Sequence, residues 1–189
     1  MLPAMLDPEV GRRLARYARL RVREALGGPP AQPPAEPELS APGASFVTLR
    51  RRSDHRLHGC IGSLEPRRPL AADVGENAVA AAIEDPRAPA IAPSDVDDLA
   101  VEVSVLSPLE RMPPCATELD ALETIAARKG GVVLVWHGRR ATFLPQMWER
   151  LPDPIDFLTE LRLKAGLPGD FWAPDVELMH YTVEKFVDA

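Results

Sequence analysis

Cysteine occurs only twice in these 189 residues, at Cys60 and Cys115. The opening Met1-Leu2-Pro3-Ala4-Met5-Leu6 lacks the basic start and apolar stretch of a secretory signal. A structural disulfide is therefore not expected, and a reducing cytoplasm is the natural setting. No apolar run approaches the ~20 residues needed to span a membrane. Lysine is nearly as scarce: Lys129, Lys164 and Lys185 are the only ones among 22 basic residues. A formal charge of −6 argues against bulk attraction to a phosphate backbone. The arginine excess, with its accompanying alanine and proline, reads as coding bias. Arg50-Arg51-Arg52 with Arg67-Arg68 is then a solvated hairpin tip before it is a phosphate site, which makes nucleic-acid binding the weakest functional class.

Whole chemistries are missing as well. There is no Gly-Lys-Ser or Gly-Lys-Thr for a phosphate loop, no dinucleotide glycine pattern, no Gly-x-Ser-x-Gly elbow and no His-Glu-x-x-His zinc helix. Without Cys-x-x-Cys the chain cannot by itself ligate an iron–sulfur cluster through cysteines. The expectation is a protein without a cofactor or a resident metal.

What is present is a sequence of well-marked elements. Asp7-Pro8-Glu9 starts a helix that runs to about Leu26, with Val10, Leu14, Tyr17, Ala18, Val22 and Ala25 on its buried face. The proline-rich stretch from Gly27 to Gly43 is an extended connector. Phe46 to Leu49 and Leu57 to Leu64 read as a hairpin. Pro69 opens a helix that ends near Glu84, and Ala100 to Leu106 alternates as a strand. Beyond Pro113-Pro114 follow a helix at Leu119 to Ala127, a hairpin of Val132 to Trp136 with Ala141 to Leu144, and a helix capped by Asp153-Pro154. Val176 to Val187 reads as one final strand. Two hairpins separated by helices, with a strand at the end, predict an α+β protein of two lobes.

The segment Leu57-His58-Gly59-Cys60-Ile61-Gly62 is the most unusual. On a regular strand His58, Cys60 and Gly62 share one face, opposite Leu57 and Ile61. A thiol becomes a nucleophile where a cation or donor favours its thiolate, and His58 is placed to do so. Gly59 and Gly62 permit bending and close approach of a ligand. Glu102, with Ser104 on the polar side of its strand, orients His58 if the two strands are neighbours. Against this stands the ordinary role of a strand cysteine, a small buried hydrophobe. His55, His58 and Cys60 lack a fourth metal ligand. Lys164 at a helix end has dipole compensation as its plain explanation, and Trp136, Phe143 and Trp148 read as core.

The hexapeptide resembles the Leu-Arg-Gly-Cys-Ile-Gly signature of the AMMECR domain family. Asp85-Pro86-Arg87, Glu102 to Leu106, Phe143 to Trp148 and Lys164-Ala165-Gly166-Leu167 are similar to further family segments in the same order. His58 departs from the family's arginine, replacing a permanent charge by a titratable ring. Ala88-Pro89-Ala90 lacks the aromatic usual after Asp-Pro-Arg. The resemblance implies two subdomains, each with an antiparallel sheet and helices, enclosing a cleft lined by Leu57, Gly59, Ile61, Gly62, Ser104 and Lys164. The larger would hold residues 1–112 and 170–189, and the smaller would be an insertion of residues 113–169. It implies partnership with a Memo-type protein and a radical SAM enzyme in the AmmeMemoRadiSam set, without implying a reaction. Two readings follow. One is a cleft enzyme on a small-molecule or peptide substrate, with Cys60 as nucleophile, His58 moving protons and Glu102 orienting it. The other is a non-catalytic binding or adaptor module for a partner protein.

Overall fold

A computed structural model describes residues 6 to 188. Its contacts divide the chain into two units, residues 1–106 with 184–189 and residues 107–183. The boundaries expected at 113 and 169 both fall inside the second unit.

In the first unit, α1 (Pro8–Ala25) begins where it was predicted, because the Asp7 carboxylate accepts the Glu9 N–H at 2.8 Å and Pro8 needs no partner for its missing N–H. It ends where Gly27 takes φ +91°. Strands β1 (Pro42–Arg51), β2 (Leu57–Gly62) and β3 (Arg68–Pro69) lead into α2 (Leu70–Ile83), followed by β4 (Leu99–Leu106). The order is β2-β1-β4-β9, where β9 is Val183–Val187, with β3 paired to the start of β1. The period-two pattern puts Val47, Leu49, Val101 and Val103 on one face. There they meet Leu14, Ala18 and Val22 of α1 and Val74, Ala78 and Ala81 of α2. The Phe186 ring crosses α1 so closely at Gly11 that a Cβ there would lie 2.0 Å from it.

This core also encloses charge. Asp73 of α2 is buried and accepts hydroxyl hydrogens from Ser45 and Ser63, each at 2.7 Å, an amide hydrogen from Asn77 at 2.9 Å and the Arg68 Nε–H at 3.0 Å. Full satisfaction is what makes a carboxylate tolerable there. At the other end of the unit Asp188 accepts the Val101 N–H at 3.0 Å and pairs with Arg19 of α1.

The second unit contains β5 (Glu110–Arg111), α3 (Glu118–Arg128), β6 (Gly131–Trp136), β7 (Arg139–Phe143), α4 (Met147–Arg150), α5 (Pro154–Lys164) and β8 (Glu177–Tyr181). Its sheet has the order β5-β8-β6-β7. Trp148 and Phe157 stack at 4.0 Å over a core that includes Ile125, Leu134, Leu161 and Leu178. Together the elements make an α+β protein with two antiparallel sheets. The single final strand expected from Val176 to Val187 is two: β8 joins the second sheet and β9 the first. Alternation continues through both, so periodicity alone does not reveal the change of sheet. No helix among the described residues is long and apolar enough to cross a membrane.

Arg162 is the largest fully buried side chain and is 1% exposed. Its Nη1 donates to Glu118 Oε1 at 2.7 Å and to the Phe171 carbonyl at 2.9 Å. Substitution by alanine removes the donor from both acceptors and opens a void where the buried side chain was, so Arg162→Ala is expected to cost roughly 3 kcal/mol. Trp136, Trp148 and Trp172 all lie in this unit, so urea unfolding followed by tryptophan fluorescence reads that loss directly.

Candidate functional site

The hexapeptide forms β2, the outermost strand beside β1. Its pairing with β1 runs Phe46 with Gly62, Val47 with Ile61, Thr48 with Cys60 and Leu49 with Gly59, then slips so that Arg50 meets Leu57. His58 is the extra residue of this bulge. A bulge turns the following side chain away from the alternation expected of a regular strand.

That slip undoes the predicted shared face. His58 is 1% exposed, and its Nε2 lies 3.0 Å from the carbonyl oxygen of Ala82, in the last turn of α2. In the tautomer that donates there, the ring caps a helix-end carbonyl; its Nδ1 is buried without a partner. Cys60 is partly exposed and engaged differently, its sulfur receiving the Thr48 hydroxyl hydrogen at 3.3 Å. No hydrogen bond joins His58 to Cys60.

The two glycines serve packing. A Cβ on Gly59 would stand 2.0 Å from the Ala81 carbonyl oxygen, and one on Gly62 would stand 2.2 Å from the Phe46 ring and 2.5 Å from the Ser45 carbonyl oxygen. Gly59 thus lets the end of α2 press against β2, and Gly62 gives Phe46 room across the strand pair.

Asp85 completes the junction. Just beyond α2, its Oδ2 accepts the Cys60 N–H at 2.8 Å. Both carboxylate oxygens also take hydrogens from Arg87, Oδ2 from Nη2 at 2.7 Å and Oδ1 from Nε and from the backbone N–H at 3.0 Å each. The Arg87 guanidinium, then the Cys60 amide, hold this carboxyl below the usual carboxylate range. Arg87 Nη2 also reaches the Cys60 carbonyl at 3.3 Å.

Glu102 does not orient His58. β4 pairs with β1, not with β2, so a whole strand separates Glu102 from Cys60, about 10 Å in the pairing direction. Cys60, Thr48 and Glu102 form one row across three strands, and Glu102 continues it as an ion pair with Lys185 of β9 at 3.4 Å. Gly62, Phe46 and Ser104 form the next row, with Ser104 buried. Leu57 is 38% exposed, and Ile61 packs partly against the first core. Lys164 belongs to the second unit, where its ammonium donates to the Thr142 carbonyl at 2.9 Å and lies 5.0 Å from the centre of the Phe143 ring. Burial lowers its pKa. His55 sits in the β1–β2 turn at φ +58°, and among the described residues no cluster of three or more histidines, cysteines or carboxylates is placed to hold a metal ion.

Thr48, Asp85, Arg87 and Lys185 join the site only through the fold. Thr48 had a signal, as the one polar residue within Phe46-Val47-Thr48-Leu49. Asp85-Pro86-Arg87 had one too, as a carboxylate and a guanidinium directly after a helix.

The family model AMMECR1 matches residues 15 to 186. The chain belongs to the AMMECR1 family. Among its relatives, a protein of Thermotoga maritima is 38% identical over 159 residues, covering 80% of this chain and 85% of that one. Protein MK0488 of Methanopyrus kandleri is 36% identical over 177 residues, covering 92% and 84%. The crystal structure of uncharacterized protein PH0010 from Pyrococcus horikoshii superposes with a TM-score of 0.79 at 34% identity, covering 96% of this chain and 92% of that one.

Two outcomes test this AMMECR1 junction. Gly59→Ala must move the end of α2 and is expected to cost roughly 3 kcal/mol in denaturant unfolding followed by circular dichroism. Asp85 has a folded pKa below its unfolded value of about 3.9, so its stabilisation is complete at neutral pH and is lost as the pH falls from about 4 through the folded value. The fall in urea midpoint below about pH 4 is therefore expected to be shallower in Asp85→Asn than in the parent.

Proposed function

We propose that this AMMECR1-family chain is a non-catalytic binding or adaptor module for a partner protein. The observation that supports this reading is the position of His58. The only imidazole of the hexapeptide is withdrawn to a helix-end carbonyl, leaving Cys60 beside a hydroxyl and an amide-bound carboxylate. A base within reach of the thiol is the part an acyl-transfer or proton-transfer mechanism needs first. The glycines that looked like room for a substrate are filled by the chain itself, by Ala81 and by Phe46. The partners to test are those the family resemblance implies, a Memo-type protein and a radical SAM enzyme.

A second reading keeps Cys60 as a nucleophile or transient carrier in an enzyme. It is favoured by the Thr48 hydroxyl donating to the sulfur and by the Arg87 guanidinium at the Cys60 carbonyl, which place a donor and a cation beside a partly exposed thiol.

The two separate cleanly. Calorimetric titration of the purified chain with the Memo-type protein and the radical SAM enzyme of the same organism is expected to show saturable binding to at least one, unchanged in Cys60→Ala. Cys115 is 2% exposed and does not compete for reagent, so iodoacetamide labelling reads Cys60 alone. A labelling rate equal to that of a free model thiol at neutral pH agrees with the module; a much faster rate, with cellular function lost in Cys60→Ala, establishes the nucleophile instead.

A further inference from the structure

Of the six large apolar side chains exposed among the described residues, three lie on α3 and α5 of the second unit: Leu119 at 64%, Ile155 at 57% and Leu163 at 50%. The two helices are neighbours, because the buried Arg162 of α5 donates to Glu118 at the start of α3 at 2.7 Å. Each also turns a basic residue to the strand on its own side, Arg128 of α3 to Glu110 of β5 at 3.4 Å and Lys164 of α5 to the Thr142 carbonyl of β7 at 2.9 Å. β5 and β7 are opposite edges of the sheet, so the helix flanks turned away from them face one another. By the 3.6-residue period, Leu119 lies across α3 from Arg128, and Ile155 lies across α5 from Lys164. Thr159 and Leu163 continue the row from Ile155 at successive turns. The loop after α5 crosses that row with a residue that has no side chain: a Cβ on Gly169 would lie 3.1 Å from Thr159 and 3.8 Å from Leu163. The result is an apolar groove between two helices, open to solvent.

Its rims are acidic and unneutralised. The side chains of Glu123 on α3 and of Asp156 and Glu160 on α5 form no ion pair or hydrogen bond among the described residues. Asp156 and Glu160 stand one turn apart, where like charges repel. Lys164, a further turn along, has the spacing and direction to neutralise Glu160, yet its ammonium is held by the Thr142 carbonyl and the Phe143 ring.

We infer that the groove between α3 and α5 is the docking site for a basic amphipathic helix of a partner protein. The inference rests on the adaptor reading and names what the partner presents. An apolar row on the incoming helix packs against Leu119, Ile155 and Leu163, and lysines or arginines beside that row pair with Glu123, Asp156 and Glu160. A second copy of the chain does not supply such a helix, because α1, its basic one, has its apolar face sealed in the first core. The same carboxylates repel an anionic lipid surface.

The probe is a synthetic fluorescein-labelled helix of about five turns, with leucine on one face and lysine on the other, titrated into the full-length chain at ~0.15 M salt and read by anisotropy. One control peptide has the same composition in an order without a helical face, and another has glutamate in place of lysine. Saturable binding is expected for the first peptide, roughly tenfold or more tighter than for either control. Ile155→Ser with Leu163→Ser, both at exposed positions, is expected to weaken it roughly tenfold or more while circular dichroism stays that of the parent. Asp156→Asn with Glu160→Gln is expected to flatten the dependence of affinity on salt. Equal binding of the faceless control, or undiminished binding by the double serine variant, overturns the inference. So does sedimentation showing that the chain self-associates through Ile155 and Leu163, which would make a second copy the occupant. If the Memo-type or radical SAM protein binds the double serine variant as tightly as the parent, the adaptor reading stands and the groove assignment falls; if neither protein binds the parent but the peptide does, the reverse holds.

Discussion

The carboxylate of Asp85 holds three things that would otherwise part: the amide of an edge strand, the end of the helix packed on it, and a guanidinium facing solvent. One buried anion with four donated hydrogens is costly to remove water from and more costly to leave half-paired. Geometry around it is therefore narrow. Gly59 has to be bare for Ala81 to come close enough, and α2 has to stop where it does for Asp85 to reach back. The helix–strand junction thus accounts for Gly59 and Asp85, and for Arg87, without any appeal to catalysis.

The bulge at His58 follows from the same constraint. A strand pressed under a helix end has a carbonyl to satisfy, and the imidazole supplies a donor to Ala82 from the position where the ladder slips. The family's usual arginine carries several donors at this position, and histidine offers one to Ala82 while leaving Nδ1 unmatched. The sulfur of Cys60, one register step further, lies instead with the row of Thr48, Glu102 and Lys185. Neighbours in sequence have thus been assigned to opposite sides of the sheet.

Local chemistry was legible from the amino acids. Asp7 and Asp153 cap the helices they were expected to cap, and the buried stripe of α1 follows the predicted one from Val10 to Val22, because capping and periodicity act within a few residues; Ala25, in the last turn, is exposed instead. β4 alternates for the same reason, with Val101 and Val103 in the core and Glu102 half-buried on the other face, although Ser104 on that face is buried too. Pairing was not legible. Whether β4 lies beside β1 or β2 decides if Glu102 can reach the hexapeptide, and no residue of either strand states it. Nor does a one-residue slip leave a mark in Leu57-His58-Gly59, although it reverses which way the imidazole points. Asp85 escaped for a related reason: its partner lies 25 residues away, a relation that only the folded chain creates.

The division of the last residues between two sheets bears on the order in which the chain is completed. β8 closes the second unit, and after Thr182 the chain enters β9 of the first sheet. Ser107, the first residue of the second unit, and Thr182, one before its last, are bonded to each other at 3.0 Å in both directions. During synthesis the later unit therefore has all its strands before the earlier one does. The first sheet waits for Phe186 to cover Gly11 and for Asp188 to meet Arg19 and Val101. A chain interrupted between Thr182 and Phe186 holds the inserted unit whole and the unit that carries Cys60 unfinished.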